Sequence, residues 1–106
     1  MIRGSVWWVD LDPTKGSKVR KARPAVIISN DIANKNFDRV VVIPLTSNVK
    51  SLYPGNAFVF VGGKKARAVS DQIQAVDKTR LNNKLGELSE NDLVAVEEAI
   101  KTHLSL

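Results

Sequence analysis

The side chains able to do chemistry in this sequence are few, and their scarcity narrows what it can do. There is no cysteine, which excludes thiol nucleophiles, disulfides and zinc–thiolate sites. A single histidine, His103, rules out both a two-histidine acid/base pair and a three-histidine metal site. No Gly-rich phosphate loop ending in Gly-Lys-Ser/Thr is present. The carboxylate pairs Asp10/Asp12 and Glu97/Glu98 lack the arrangement of a metal site, so neither metal nor cofactor is expected. What remains is arginine, lysine, hydroxyls and one aspartate in an unusual place. Arg23 stands immediately before Pro24 and the apolar run PAVIIS. A guanidinium tied to rigid scaffold in this way can hold a phosphate through two parallel hydrogen bonds. Thr46 and Ser47 close a second apolar run, VVVIPLTS, where their hydroxyls could meet the same ligand. Asp71 and Gln72 interrupt a third run. An aspartate there is a surface residue, a buried structural acceptor or a catalytic base.

These residues need elements to hold them. SVWWVDLDP begins with a β-rich run that Asp12-Pro13 ends, and its two tryptophans, Trp7 and Trp8, point to opposite faces. Pro24–Ser29 and Arg39–Ser47 read as strands without alternation, the pattern of burial on both faces. Pro44 inside the second marks a strand end, a bulge or an edge. Asn30–Asn36 is turn-rich, with room for one helical turn. Ala57–Val61 and Ala66–Val76 read as strands joined by a four-residue hairpin loop, Gly62 to Lys65. Ser89 is a good N-cap for a terminal helix, with Asp92 in the position of a capping box. Leu93, Val96, Ile100 and Leu104 form the helix's apolar stripe.

Five or more short strands and one long C-terminal helix within 106 residues predict a single domain, residues 1–106. Its expected class is mainly β with α, as a strongly bent sheet or small barrel. One helix cannot cover every non-alternating strand, which points to a homodimer interface. No run approaches a membrane span and the N-terminus lacks the pattern of a signal peptide, so a cytoplasmic location is expected.

Charge adds a partner class. Lys plus Arg is 16 against 11 Asp plus Glu, a net +5. The excess gathers at Lys15, Lys18, Arg20, Lys21 and Arg23 and again at Lys64–Arg67, whereas Glu87–Glu98 holds five acids and no base. Localised positive charge suits a polyanionic partner such as nucleic acid, an acidic protein segment or an anionic lipid. Tyr53 and Phe37 are candidates for stacking on unpaired bases, with core or rim packing as their ordinary alternative.

The segments VWWVDLDPTKGSK…RPAVIIS, VVVIPLTS and SDQIQAVDKTRL, in that order and spacing, resemble the MazF/PemK (Kid) family of toxin endoribonucleases. The resemblance spans nearly the whole chain. It implies a small SH3-like β-barrel of the CcdB/PemK type with a long C-terminal helix, a symmetric dimer, and metal-independent cleavage of single-stranded RNA. It also implies a cognate antitoxin whose acidic, flexible tail occupies the RNA groove. Arg23 and Thr46 match the family's catalytic arginine and threonine. Asp71 matches an aspartate proposed as general base in the PemK/Kid branch. That branch carries an arginine two positions earlier, where this chain has Val69, so the expected centre is Arg23/Thr46 with Asp71 secondary. RNA contacts are expected from Lys15, Lys18, Arg20, Lys21, Ser47 and Gln72. Two alternatives stand beside this reading: a non-catalytic gyrase poison like CcdB, which shares the fold type, and an RNA-binding module without activity.

Overall fold

The computed structural model describes residues 1–11 and 22–106. Seven strands and two α-helices follow in the order β1 (Ser5–Asp10), β2 (Ala22–Ile27), α1 (Asp31–Asn36), β3 (Arg39–Thr46), β4 (Asn56–Val61), β5 (Lys64–Val69), β6 (Gln74–Asp77), β7 (Leu81–Glu87) and α2 (Glu90–Leu104). All strand pairs are antiparallel, in the path β4-β5-β3-β2-β1-β7, with β6 also on β3.

β3 organises the sheet. One of its sides pairs with β2; the other pairs first with β6, through Arg39–Val42, and then with β5, at Leu45 and Thr46. Pro44 therefore sits within the strand, not at its end. Val41 turns both its carbonyl and its N–H toward the β2 side. Pro44, three residues on, therefore aims its ring nitrogen at the other side, where β6 has ended and β5 has yet to begin. The missing donor costs nothing there.

Both faces of β2 and β3 are buried, as their lack of alternation requires. On one face Val6, Val26, Ile43, Leu45, Val59 and Val96 form a core closed by α2. On the other, Val9, Ala25, Ile27, Val40, Val42, Val76 and Leu81 form a second core, with Trp7 packed against it. The second cover comes from the sheet curling on itself, so the burial pattern by itself asks for no second subunit. The curl has a local cause. Val6 and Trp7 are consecutive in β1, yet they face Gly86 and Lys84 of β7, which leaves Leu85 as the extra residue of a bulge.

Several sequence expectations are corrected. The β4–β5 loop has two residues, not four. Gly62 and Gly63 both have positive φ (57° and 79°), the two left-handed positions of a type I′ turn, so pairing runs to Val61↔Lys64. The single strand expected over 66–76 is β5, a 3-10 turn at Ser70–Gln72, and β6, because the chain must step from one part of β3 to another. Asn30 caps a short but real helix, its side chain accepting from the Ala33 N–H at 2.8 Å. The helix α2 is capped by Ser89 as expected (3.1 Å from the Asp92 N–H), but Asp92 does not complete a capping box. Its carboxylate accepts the Phe60 N–H of the edge strand β4 at 2.9 Å. The buried stripe of α2 centres on Val96 and Ala99, and Leu104 is exposed.

No helix among the described residues is long and apolar enough to cross a membrane.

Candidate nucleic-acid-cleaving groove

Where β2 begins and β3 ends, the barrel leaves its mouth open. The opening is a groove of about 710 Å³ lined by Trp8, Arg23, Pro24, Leu45, Thr46, Ser47, Val61, Gly62, Lys64, Lys65, Ala66 and Leu85. Its floor is apolar, from Trp8, Leu45, Val61 and Leu85. Its rim carries Arg23, Lys64 and Lys65 beside two hydroxyls, and none of the described lining residues is acidic. This is the lining of a site for an anion attached to a flat or apolar body.

The sheet sets the spacing of the reactive pair. β2 and β3 pair one residue for one from Ile27↔Val42 to Ala25↔Pro44. Beyond the last of these pairs, Arg23 and Thr46, each two residues further along its strand, both line the groove. Arg23 is exposed, and no salt bridge holds it among the described residues. The hydroxyl of Thr46 accepts the Asn48 N–H at 3.2 Å. That bond uses an oxygen lone pair and leaves the O–H proton to be given to a ligand. A guanidinium and an oriented hydroxyl on adjacent strands can together grip a phosphoryl group whose negative charge is growing.

The other expected site residues divide. Ser47 joins the groove. Lys15, Lys18, Arg20 and Lys21 lie outside the described residues. Asp71 and Gln72 are exposed in the 3-10 turn after β5 and do not line the groove. Arg67 is the β5 residue opposite Thr46, so Asp71 stands roughly 10 Å further along the sheet. Phe37 caps the end of α1 in a different depression, with Asp38 and Arg39. Tyr53 is exposed, with the Arg67 guanidinium 5.5 Å from its ring centre.

Sequence reasoning missed Trp8, Lys64, Lys65 and Leu85 as groove residues. The second cluster of positive charge was the available signal for the lysines. The opposed tryptophans were the signal for Trp8: Trp7 turns inward and donates from Nε1 to Ser5 Oγ at 2.9 Å, leaving Trp8 38% exposed at the groove. Leu85 had no signal, because its place depends on the bulge.

Comparison with known proteins finds relatives over nearly the whole chain. The family model described as "PemK-like, MazF-like toxin of type II toxin-antitoxin system" matches residues 2–104. Endoribonuclease MazF9 of Mycobacterium tuberculosis is 36% identical over 115 residues, covering 100% of this chain and 98% of the relative. Endoribonuclease MazF of Staphylococcus epidermidis is 35% identical, covering 98% and 91%. Among solved structures, a mycobacterial endoribonuclease in complex with its cognate antitoxin superposes with a TM-score of 0.84 at 25% identity, covering 100% of this chain and 96% of that one. MazF of Deinococcus radiodurans shares the fold, with a TM-score of 0.82 at 22% identity over 100% of this chain and 97% of that one. The chain belongs to the PemK-like, MazF-like toxin family of type II toxin–antitoxin systems.

Proposed function

We propose that this toxin is an endoribonuclease that cuts single-stranded RNA at short sequences, leaving a 2′,3′-cyclic phosphate and a 5′-OH. The observation that carries the reading is Arg23 and Thr46 lining one cationic groove that has no acid among its described lining residues. The family relatives named as endoribonucleases support it.

In this reaction the 2′-oxygen attacks the adjacent phosphorus and the P–O5′ bond breaks. The 2′-OH proton leaves to a base, and the departing 5′-oxygen takes up a proton. The nucleophile is the substrate's own hydroxyl, so the step needs no metal in principle, and DNA binds without being cut. Arg23 stabilises the charge that develops on the non-bridging oxygens. It acts as a fixed cation and hydrogen-bond donor, not as a proton carrier. Thr46 donates its hydroxyl proton to the same phosphoryl group and fixes its orientation. The apolar floor around Trp8 and Leu85 receives a neighbouring base, and Lys64 and Lys65 meet the backbone phosphates. Asp71 can reach the reaction only if another chain or a rearrangement brings it there, so it belongs to RNA binding or to structure and not to the cleavage centre.

The working protein is a symmetric homodimer located where messenger RNA is translated, in the cytoplasm. It is restrained by an antitoxin whose acidic tail lies in the same groove. One similar structure is an endoribonuclease held by its cognate antitoxin.

Primer-extension mapping on a long RNA, in EDTA, tests the reading. Wild type should cut at a recurring short sequence, and Arg23→Ala should slow cleavage by about 10²–10³-fold. Intact RNA with both proteins would overturn it. Gyrase-dependent DNA breaks that persist in Arg23→Ala would replace it with the gyrase-poison reading.

A further inference from the structure

The outer face of the β4–β5 hairpin has no part in either core. Alternation along the two strands sends Ala57, Val59, Ala66 and Ala68 inward and leaves Phe58, Phe60, Lys65 and Arg67 outward. Phe58 pairs across the ribbon with Arg67, and Phe60 with Lys65. Two large aromatics so placed are out of keeping with a merely solvated surface. Phe60 is 53% exposed and Tyr53, beside Arg67, is 60% exposed. The cations are not splayed into water: the Lys65 ammonium lies 4.0 Å from the Phe58 ring centre, and the Arg67 guanidinium is 5.5 Å from that of Tyr53. Arg67 is fixed further by donating from Nη1 to Asn56 Oδ1 at 3.2 Å. Asp92 of α2 has its carboxylate occupied by the Phe60 N–H of this ribbon.

The face is continuous with the groove. Arg67 is the direct cross-strand partner of Thr46, and Lys65 lines the groove itself. Phe58, Arg67 and Thr46 therefore form one row across three neighbouring strands, and Thr46 shares the groove with Arg23. A strand of RNA gripped at Arg23 and Thr46 that continues along this row meets alternating rings and cations.

We propose that this ribbon is a stacking platform for unpaired nucleotides flanking the cleaved phosphate, with Tyr53 and Phe60 receiving base faces and Lys65 and Arg67 receiving phosphates. Aromatic faces interleaved with cations, without acids, are the surface that single-stranded nucleic acid recognises whatever its sequence. An acidic peptide would use the cations but leave the exposed rings idle. The proposal rests on the endoribonuclease reading for its place next to the cut, but not for its binding.

The test uses dye-labelled 2′-O-methyl oligouridylates, which lack the attacking hydroxyl. Lengths of about 4 and about 12 nucleotides span the groove alone and the groove plus ribbon. By fluorescence anisotropy, Tyr53→Ala and Phe60→Ala should each weaken the longer oligomer about tenfold while leaving the shorter one unchanged, and Phe60→Trp should restore binding. Equal affinities in all variants, or equal losses at both lengths, would overturn the platform. So would dissociation of an oligomer by Phe60→Ala in sedimentation, which would make the face a contact between copies. Loss of affinity only for an acidic peptide would overturn it as well. Should wild type cut no RNA while the length-dependent loss is still seen, the cleavage reading fails and the platform stands.

Discussion

Thr46 shows how much a single hydrogen bond can decide. Phosphate oxygens have no proton to give, so the hydroxyl faces them as a donor, and the bond its oxygen accepts from the Asn48 N–H holds that oxygen in place without using the proton. Thr46→Ser should therefore keep most activity, whereas Thr46→Val, equal in shape but with no proton to give, should lower kcat by about 10–100-fold with little change in KM. Asp71→Asn should change kcat by less than about threefold in single-turnover assays, since a base must lie within hydrogen-bond reach of the proton it takes. A large loss in Asp71→Asn would place that carboxylate in the reaction after all. That Arg23 and Thr46 line one groove was legible because each sits at the end of an apolar run, a property of local sequence. Lys64 and Lys65 were not, because their place opposite Arg23 depends on how far the hairpin folds over the barrel mouth.

At the level of elements, the most informative contact is between α2 and the exposed edge of β4. Asp92 had been expected to turn back onto its own helix. Its carboxylate is one methylene shorter than the glutamate of a usual capping box, and an unpaired edge N–H at Phe60 offers a partner. The choice between an intrahelical and an interelement bond cannot be read from spacing. It requires knowing that β4 is an edge strand. Asp92→Ala should cost about 1–2 kcal/mol in urea unfolding through the freed edge N–H. It should also raise the tendency to associate, because an uncovered edge is a template for another strand. Unchanged stability and solubility would show that the bond is incidental. The order and type of the strands were largely legible from their apolar runs. The division of 66–76 into two strands and a turn was not, since its cause is the change of partner along β3.

For the molecule as a whole, composition suggested a polyanionic partner, and the groove gathers part of that charge, Arg23, Lys64 and Lys65, at one place. Single-stranded nucleic acid releases about 0.7 counterion per phosphate contacted. Removing both groove lysines, in Lys64→Ala with Lys65→Ala, should therefore flatten the dependence of log K on log salt by about 1.4. A slope that does not move would mean the two lysines meet no phosphate. The burial of both faces of β2 and β3 was written in their lack of alternation. What covers the second face was not, because curling arises from bulges and registers set between residues far apart in the chain. Arg3 illustrates the same limit. It donates from Nε to the Ile28 carbonyl and pairs with Glu97 at 2.9 Å, tying the N-terminus to α2, yet nothing near it in sequence marks it as a tie.

The two-glycine turn between β4 and β5 sits in open space: a side chain added at Gly62 or Gly63 would meet nothing within 4 Å. Crowding therefore does not limit this tip of the groove wall, but backbone shape does: both glycines have positive φ, so a side chain there is strained although the space around it is empty. The wall's outline is thus fixed by two residues that touch nothing.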